Sequence, residues 1–276
     1  MILKSFLPPA VALGTMHGKE AAIAPPFATL GITLRRAEID TDRFGTFAGD
    51  VARAGSMLEA ARSKARAAAN ALGLDVGMAS EGAYGPHPYV PFLPLGQEML
   101  LWHNTVTGHE IAETLTDDRP VFDQQTITDP GDAEAFLSRI GFPATGVIVQ
   151  AAPAMIPAAK GVTEKATLDA AIAACLAATG SALLQTDMRA HMNPRRMAVI
   201  GDLARRLAQR LATPCPDCAA PGFGRLRTVP GLACRDCGIE TGLIAADIYG
   251  CTACGSETIR PRAGEADPAH CPYCNP

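Results

Sequence analysis

The chain has no basic excess. Its 24 lysines and arginines face 28 acids, for a formal net charge of −4 and a pI near 5.9. No long-range positive field therefore exists to gather a nucleic-acid backbone. A long apolar run is missing too: the start, MILKSFLPPAVALG, has one lysine and a short hydrophobic stretch broken by Pro8-Pro9. That is short of a signal core or a spanning helix, so the expectation is a soluble cytoplasmic protein with no membrane partner. Nor is the chain poor in apolar residues in the manner of disordered segments. At 48% hydrophobic over 276 residues it can bury the core of one large domain and leave a small second one.

Cysteine is present but unevenly placed. Eight of the nine form four CxxC pairs, Cys215/Cys218, Cys234/Cys237, Cys251/Cys254 and Cys271/Cys274, in turns (CPDC, CRDCG, CTACG, CPYC) that match zinc knuckles. In a reducing compartment this spacing implies metal rather than disulfides, here two structural zinc ions with four thiolates each and no open position for substrate. Spacing leaves open whether the pairs combine sequentially or interleave. The remaining cysteine, Cys175, reads as a small buried residue of an alanine-rich helix. From Pro214 onward there are five arginines and no lysines against seven acids. The thiolates add further negative charge, so a protein partner or a second copy of the chain suits this tail better than nucleic acid does. Few of its residues can fill a core, which makes metal the agent of its folding. The domain division is thus 1–213 and 214–276.

The first part reads as an α/β domain with a mixed sheet flanked by helices. A strand over 11–15 leads through Met16-His17-Gly18-Lys19 into a short helix expected to stop near Pro25-Pro26. Lys19 there is either a phosphate ligand or a solvated residue at a helix start. A second strand over 31–39 runs into a polar, glycine-rich loop with Asp40 and Asp42, where carboxylates can hold magnesium. Ser56 and Glu59 form a capping box, and Leu58, Ala61, Ala65, Ala68 and Leu72 repeat on one helical face as far as Gly73. Lys64 lies at the edge of that face. A buried strand over 74–79 follows, and Ser80-Glu81-Gly82 falls where such strands open into clefts, making Glu81 the leading candidate acid.

Next, GAYGPHPYVPFLPLG reads as a rigid extended segment whose Tyr84 and Tyr89 can face a planar ring. A hairpin over 99–103 and 109–115 is expected, then a helix over 132–140, a strand over 145–150, a helix over 163–179 and a last strand over 182–186. The final long helix is capped by Asn193 with Pro194 at its first position and buries Met197, Ile200, Leu203 and Leu207. Arg195 and Arg196 occupy its first turn, where the helix dipole disfavours cations unless an anion is near. Arg205, Arg206 and Arg210 read as a solvated face.

Four segments carry a resemblance. SMLEAARSKA at 56–65, VGMASEGAYG at 76–85, ALGTMHGKE at 12–20 and NPRRMAV at 193–199 are similar, in the same order, to motifs of the inosine triphosphate pyrophosphatase superfamily. Its members cut non-standard nucleoside triphosphates to monophosphate and pyrophosphate. The chain departs from the family where Ala60 replaces the helix asparagine and Pro194 a histidine, and a zinc tail is foreign to it. The whole chain also resembles a bacterial family that pairs this core with a CxxC tail, a resemblance that implies no activity.

The resemblance implies a magnesium-dependent hydrolase of a nucleoside triphosphate or related phosphoanhydride. Glu81, with one of Glu38, Asp40 or Asp42, would hold the metal. Lys19, Lys64 and Arg195 would offset phosphate charge, and Thr15, His17, Ser80 and Tyr84 would contact the ligand. The alternative is a non-catalytic protein that senses a nucleotide or other anion and acts through a protein partner. Nucleic-acid binding by the ribbons is the least favoured class.

Overall fold

The computed structural model describes residues 7–40, 55–153 and 156–276. Asp42 lies outside the described residues. The first sheet contains β1 (Ala10–Gly14), β2 (Thr33–Arg36), β3 (Val76–Pro86), β4 (Pro94–Asn104) and β5 (Glu110–Asp117), in the order β2-β1-β3-β4-β5. β1 runs parallel to β2 and β3, and β3-β4-β5 is an antiparallel meander. The sheet is therefore mixed, as expected.

Alternation along β3 assigns its side chains to two faces. Val76 and Met78 join Val11, Phe27, Trp102 and Leu207 in a core against α1 (Glu20–Ala28) and α5 (Pro194–Leu211). Gly77 and Ala79 face α2 (Met57–Leu72) instead. A Cβ on Gly77 would lie 1.9 Å from the Ala65 carbonyl oxygen, and one on Gly14 would lie 2.8 Å from that of Lys64. Glycine and alanine let α2 approach the sheet closely, and the Lys64 backbone sits directly over the end of β1. Ser56 and Glu59 close the expected capping box, and Gly73 ends the helix at φ 61°.

Several expectations need correction. β3 does not end at Ala79, because β4 pairs with it from Val76↔Asn104 to Pro86↔Pro94, so Glu81 lies inside a long hairpin rather than at a strand end. The second strand is only four residues long, and Glu38 and Asp40 follow it as exposed residues, Glu38 bonded to Arg36 at 2.8 Å. α1 continues through Pro25-Pro26 to Ala28. Ile23 and Phe27, one turn apart, are both fully buried. Burying two such side chains yields about 2–3 kcal/mol each, which offsets most of the roughly 3 kcal/mol penalty of each of the two prolines inside the helix.

The α/β part holds two sheets rather than one. β6 (Gln124–Ile127), β7 (Val147–Ala151), β8 (Ile156–Val162) and β9 (Ala182–Thr186) form a second, antiparallel sheet in the order β6-β9-β7-β8. It packs on α3 (Ala133–Ile140) and α4 (Lys165–Thr179) around Phe136, Val149, Leu168, Ile172 and the expected buried Cys175. β6 and β8 carry weak strand patterns, QQTI and IPAAKGV, which conceal them in the sequence. Beyond α5, β10 (Gly224–Pro230), β11 (Ile244–Gly250) and β12 (Glu257–Pro261) form an antiparallel three-stranded sheet. Among the described residues no helix is long and apolar enough to cross a membrane.

Candidate functional site

Buried charge gathers where β1 ends beside β3. Lys64 of α2 pairs with Glu81 on one face of the sheet. On the other, Lys19, at the start of α1, donates to Ser80 Oγ at 2.9 Å. Two residues further along that same face, Gly82 stands opposite Glu98 of β4. Arg196 Nε donates to Glu98 Oε1 at 2.6 Å, the Tyr84 hydroxyl donates to the same oxygen at 2.9 Å, and the Arg196 guanidinium lies 5.3 Å from the Tyr84 ring centroid. Arg196 and Glu98 are 1% and 0% exposed. A Cβ on Gly82 would lie 2.6 Å from both Arg196 Nη2 and Glu98 Oε1, so only glycine leaves room for this pair.

Three cations (Lys19, Lys64, Arg196) thus stand against two carboxylates (Glu81, Glu98): Lys64 and Glu81 balance on one face, and Lys19 and Arg196 with Glu98 leave a formal excess of one positive charge buried on the other. Lys19 registers it. Burial first, then the Arg196 charge, push its ammonium down to about 8, although Glu98 and Glu81 pull the other way. Burial and the Glu98 carboxylate raise the Tyr84 phenol, keeping it a neutral donor. A cation held below its ordinary pKa gains from an incoming anion. Glu98 Oε2 is buried and has no hydrogen-bond partner among the described residues.

The remaining candidates fall at different distances from this cluster. Thr15 is buried and turns its hydroxyl to the Met16 carbonyl oxygen at 3.1 Å. His17 stacks on His191, with ring centroids 5.2 Å apart. Arg195 is bound by the buried Asp117 at 3.1 and 3.2 Å, which accounts for a cation in the first turn of α5. Arg196, bonded through its backbone N–H to the capping Asn193 side chain at 3.0 Å, is the arginine inside the cluster. Tyr89 is 88% exposed at the hairpin tip and does not face the cluster. Lys19 is not the solvated helix-start residue that its loop position allows. Nor is Arg210 solvated: it bonds the Gly222 carbonyl oxygen at 3.1 Å, that of Ala112 at 3.0 Å and Glu113 at 2.8 Å.

Glu98 carries no assignment in the sequence, and Arg196 only the dipole argument it shares with Arg195, yet both leave a further trace there. Gly96, Glu98, Leu100 and Trp102 alternate on one face of β4, placing an acid in a core row. Arg196 falls four residues before Ile200, in register with the buried stripe of α5. A groove of about 500 Å³ lies at the tip of the β3-β4 hairpin, lined by Pro86, Phe92, Leu93, Pro120, Phe122 and Arg139 among others, and no residue of the cluster lines it. Its Val121 wall accepts from Asn193 Nδ2 at 3.0 Å.

The cysteines form two groups of four, and the register decides their pairing. β10 and β11 align Gly224 with Gly250 at one end and Pro230 with Ile244 at the other. The first and third CxxC turns therefore meet at one end, and the second and fourth at the other. The groups are Cys215, Cys218, Cys251, Cys254 and Cys234, Cys237, Cys271, Cys274, an interleaved arrangement. Sulfur separations of 3.8 and 3.7 Å in the first and 3.9 and 3.5 Å in the second suit a tetrahedron with metal–sulfur bonds of about 2.3 Å, whose edges are about 3.8 Å. Each second cysteine is followed by a residue whose N–H returns to the carbonyl oxygen of the first, at 2.9 to 3.0 Å. The Cys274 N–H donates to Cys271 Sγ at 3.4 Å and helps hold that thiol down to about 7, in the thiolate range metals require. Both groups are compatible with zinc.

This segment rests on edge strand β5 through Arg210 and through the Thr252 hydroxyl, which donates to the Glu110 carbonyl oxygen at 2.7 Å. The Glu110 carboxylate in turn receives Arg62 of α2 at 2.6 and 2.7 Å.

The family described as "Domain of unknown function (DUF6671)" matches residues 64–276, which takes in β3 to β9, α5, both cysteine groups and Lys64. No curated protein and no solved structure matches the chain.

Proposed function

Since the chain belongs to the DUF6671 family, whose name assigns no activity, we propose from its chemistry that it binds and hydrolyses a nucleoside triphosphate or related phosphoanhydride with magnesium, while two zinc ions hold the C-terminal segment together. One observation carries this reading: three buried cations exceed two buried carboxylates at the end of β1. An inosine triphosphate pyrophosphatase-like origin accords with Lys19, Lys64 and Glu81 lying on the segments similar to that superfamily.

In this reading Lys19, Lys64 and Arg196 offset the charge that builds on phosphate oxygens, and Ser80 and Tyr84 fix Lys19 and Glu98 in place. Lys64 holds the Glu81 carboxylate where it can orient a water. Glu98 Oε2, buried without a hydrogen-bond partner among the described residues, is the oxygen that would hold magnesium, a cation that prefers such donors, on the face that carries Lys19 and Arg196. It takes the place of Glu38 and Asp40, which are exposed after β2. Bound magnesium supplies polarisation of a phosphate oxygen.

The test is phosphate and pyrophosphate release across a nucleotide panel, with and without magnesium, for wild type and Glu81→Gln. Loss of turnover by about a hundredfold or more in the variant is expected, and equal rates would remove Glu81 from the reaction. A second reading, an anion sensor without turnover, draws on Glu81 being already paired with Lys64 and Arg195 with Asp117. Tight nucleotide binding with no product released under any condition would select it.

A further inference from the structure

His17 and His191 come from separate loops. His17 lies between β1 and α1, two residues before Lys19, and His191 precedes Asn193, the cap of the helix that carries Arg196. Their rings stack at 5.2 Å with 21° between planes. His17 is half-buried and His191 exposed, whereas Lys19, two residues after His17, and Arg196, five after His191, are buried, and a Cβ on Gly18 would lie 3.8 Å from that of His191, so the two loops that carry the pair meet where they lead to these cations.

His17 also has a backbone φ of 67°, and Gly18 after it has 68°. A β-carbon is disfavoured in that region, where glycine or asparagine would serve the turn with less strain. Strain retained in the loop that leads to Lys19 points to a role for the side chain. Charge points the same way. Before any magnesium binds, one positive charge in excess inside the cluster matches one anionic phosphate oxygen, so the further charge of a second phosphate needs donors farther out.

We infer that His17 and His191 form an outer phosphate subsite, and that the ligand therefore carries at least two linked phosphates, the inner one at Lys19 and Arg196 and the outer one against the imidazoles. This rests on the phosphate-binding reading above and extends it to the length of the phosphate chain. No proton or bond need move: the imidazole N–H groups donate to oxygens of the outer phosphate.

Calorimetric titration of the full zinc-loaded chain with inorganic phosphate and with inorganic pyrophosphate separates the possibilities. Wild type is expected to bind pyrophosphate at least tenfold more tightly than phosphate. His191→Gln and His17→Gly should each keep phosphate affinity within about twofold and lose most of that preference. His17→Gly relieves the strained φ, so it should unfold at a temperature no lower than wild type while binding pyrophosphate less well, a combination that a merely structural histidine would not give. Phosphate binding with no preference for pyrophosphate in wild type, or a preference intact in both variants, overturns the outer subsite alone. No binding of either anion overturns it together with the reading on which it rests.

Discussion

The body and the cysteine-rich segment place their expensive groups differently. In the body, charge is buried under a sheet whose core includes Phe27, Met78, Trp102 and Leu207, and the surrounding apolar packing supports ion pairs that could not stand alone. The segment has almost no core: Phe223 with Cys215 and Cys251 is its one buried cluster among the described residues, and β12 is exposed throughout. One region folds by burying apolar surface and can spend part of that gain on a polar site, whereas the other depends on what its thiolates bind.

The largest expected effect follows from that contrast. Removing metal with a strong chelator, or substituting Cys251→Ser with Cys234→Ser, should abolish amide-exchange protection in β10–β12 while α5 and β3 keep theirs. Protection that survives in the segment at zero bound metal would erase the distinction. Substituting inside the body tests its other half. Arg196→Met leaves Glu98 buried without its cation and should destabilise the protein by about 3–5 kcal/mol in denaturant titrations, while Arg196→Met with Glu98→Met should recover most of the loss. A double variant as unstable as the single one would mean that the pair is structural in a way the charge argument misses.

Legibility in the sequence followed the same division. The two four-cysteine groups were plain from spacing, because metal ligation fixes residue type and interval together. Their interleaving was not, since it depends on the register of β10 against β11, a long-range property. In the body, α2 could be read from Ser56 to Gly73 because cap, periodicity and stop are all local. The second sheet was hidden, because β6 and β8 are held by partners distant in sequence rather than by their own composition. Lys64 was legible at the margin of an apolar face. Glu98 is hidden because the apolar pattern of its hairpin starts at Met99, five residues after β4 begins at Pro94, and Arg196 because the dipole argument does not separate it from Arg195 beside it. Arg210 was placed with its solvated neighbours, although its partners Ala112, Glu113 and Gly222 come from elsewhere in the chain.

A smaller effect sharpens the comparison. Ser56→Ala removes one half of the capping box of α2 and should cost about 1 kcal/mol of stability, with anion affinity unchanged, since the cap is a turn and more away from Lys64. A large loss of affinity in that variant would show that helix position, rather than charge, limits binding.

The most direct measurement is the pH dependence of pyrophosphate binding, with proton exchange read from calorimetry in buffers of different ionisation enthalpy. Lys19 in the free protein titrates near 8, below its ordinary 10.5, because burial and Arg196 disfavour its charge. An anion favours that charge and raises the value again. Affinity should therefore fall as pH rises past 8, with a proton taken up on binding in that window. Lys19→Met should lose at least tenfold in affinity at pH 7 and show no proton uptake. Binding of equal strength at pH 7 and 9.5, or in Lys19→Met, would contradict the claim that the buried charge at the end of β1 is an anion site.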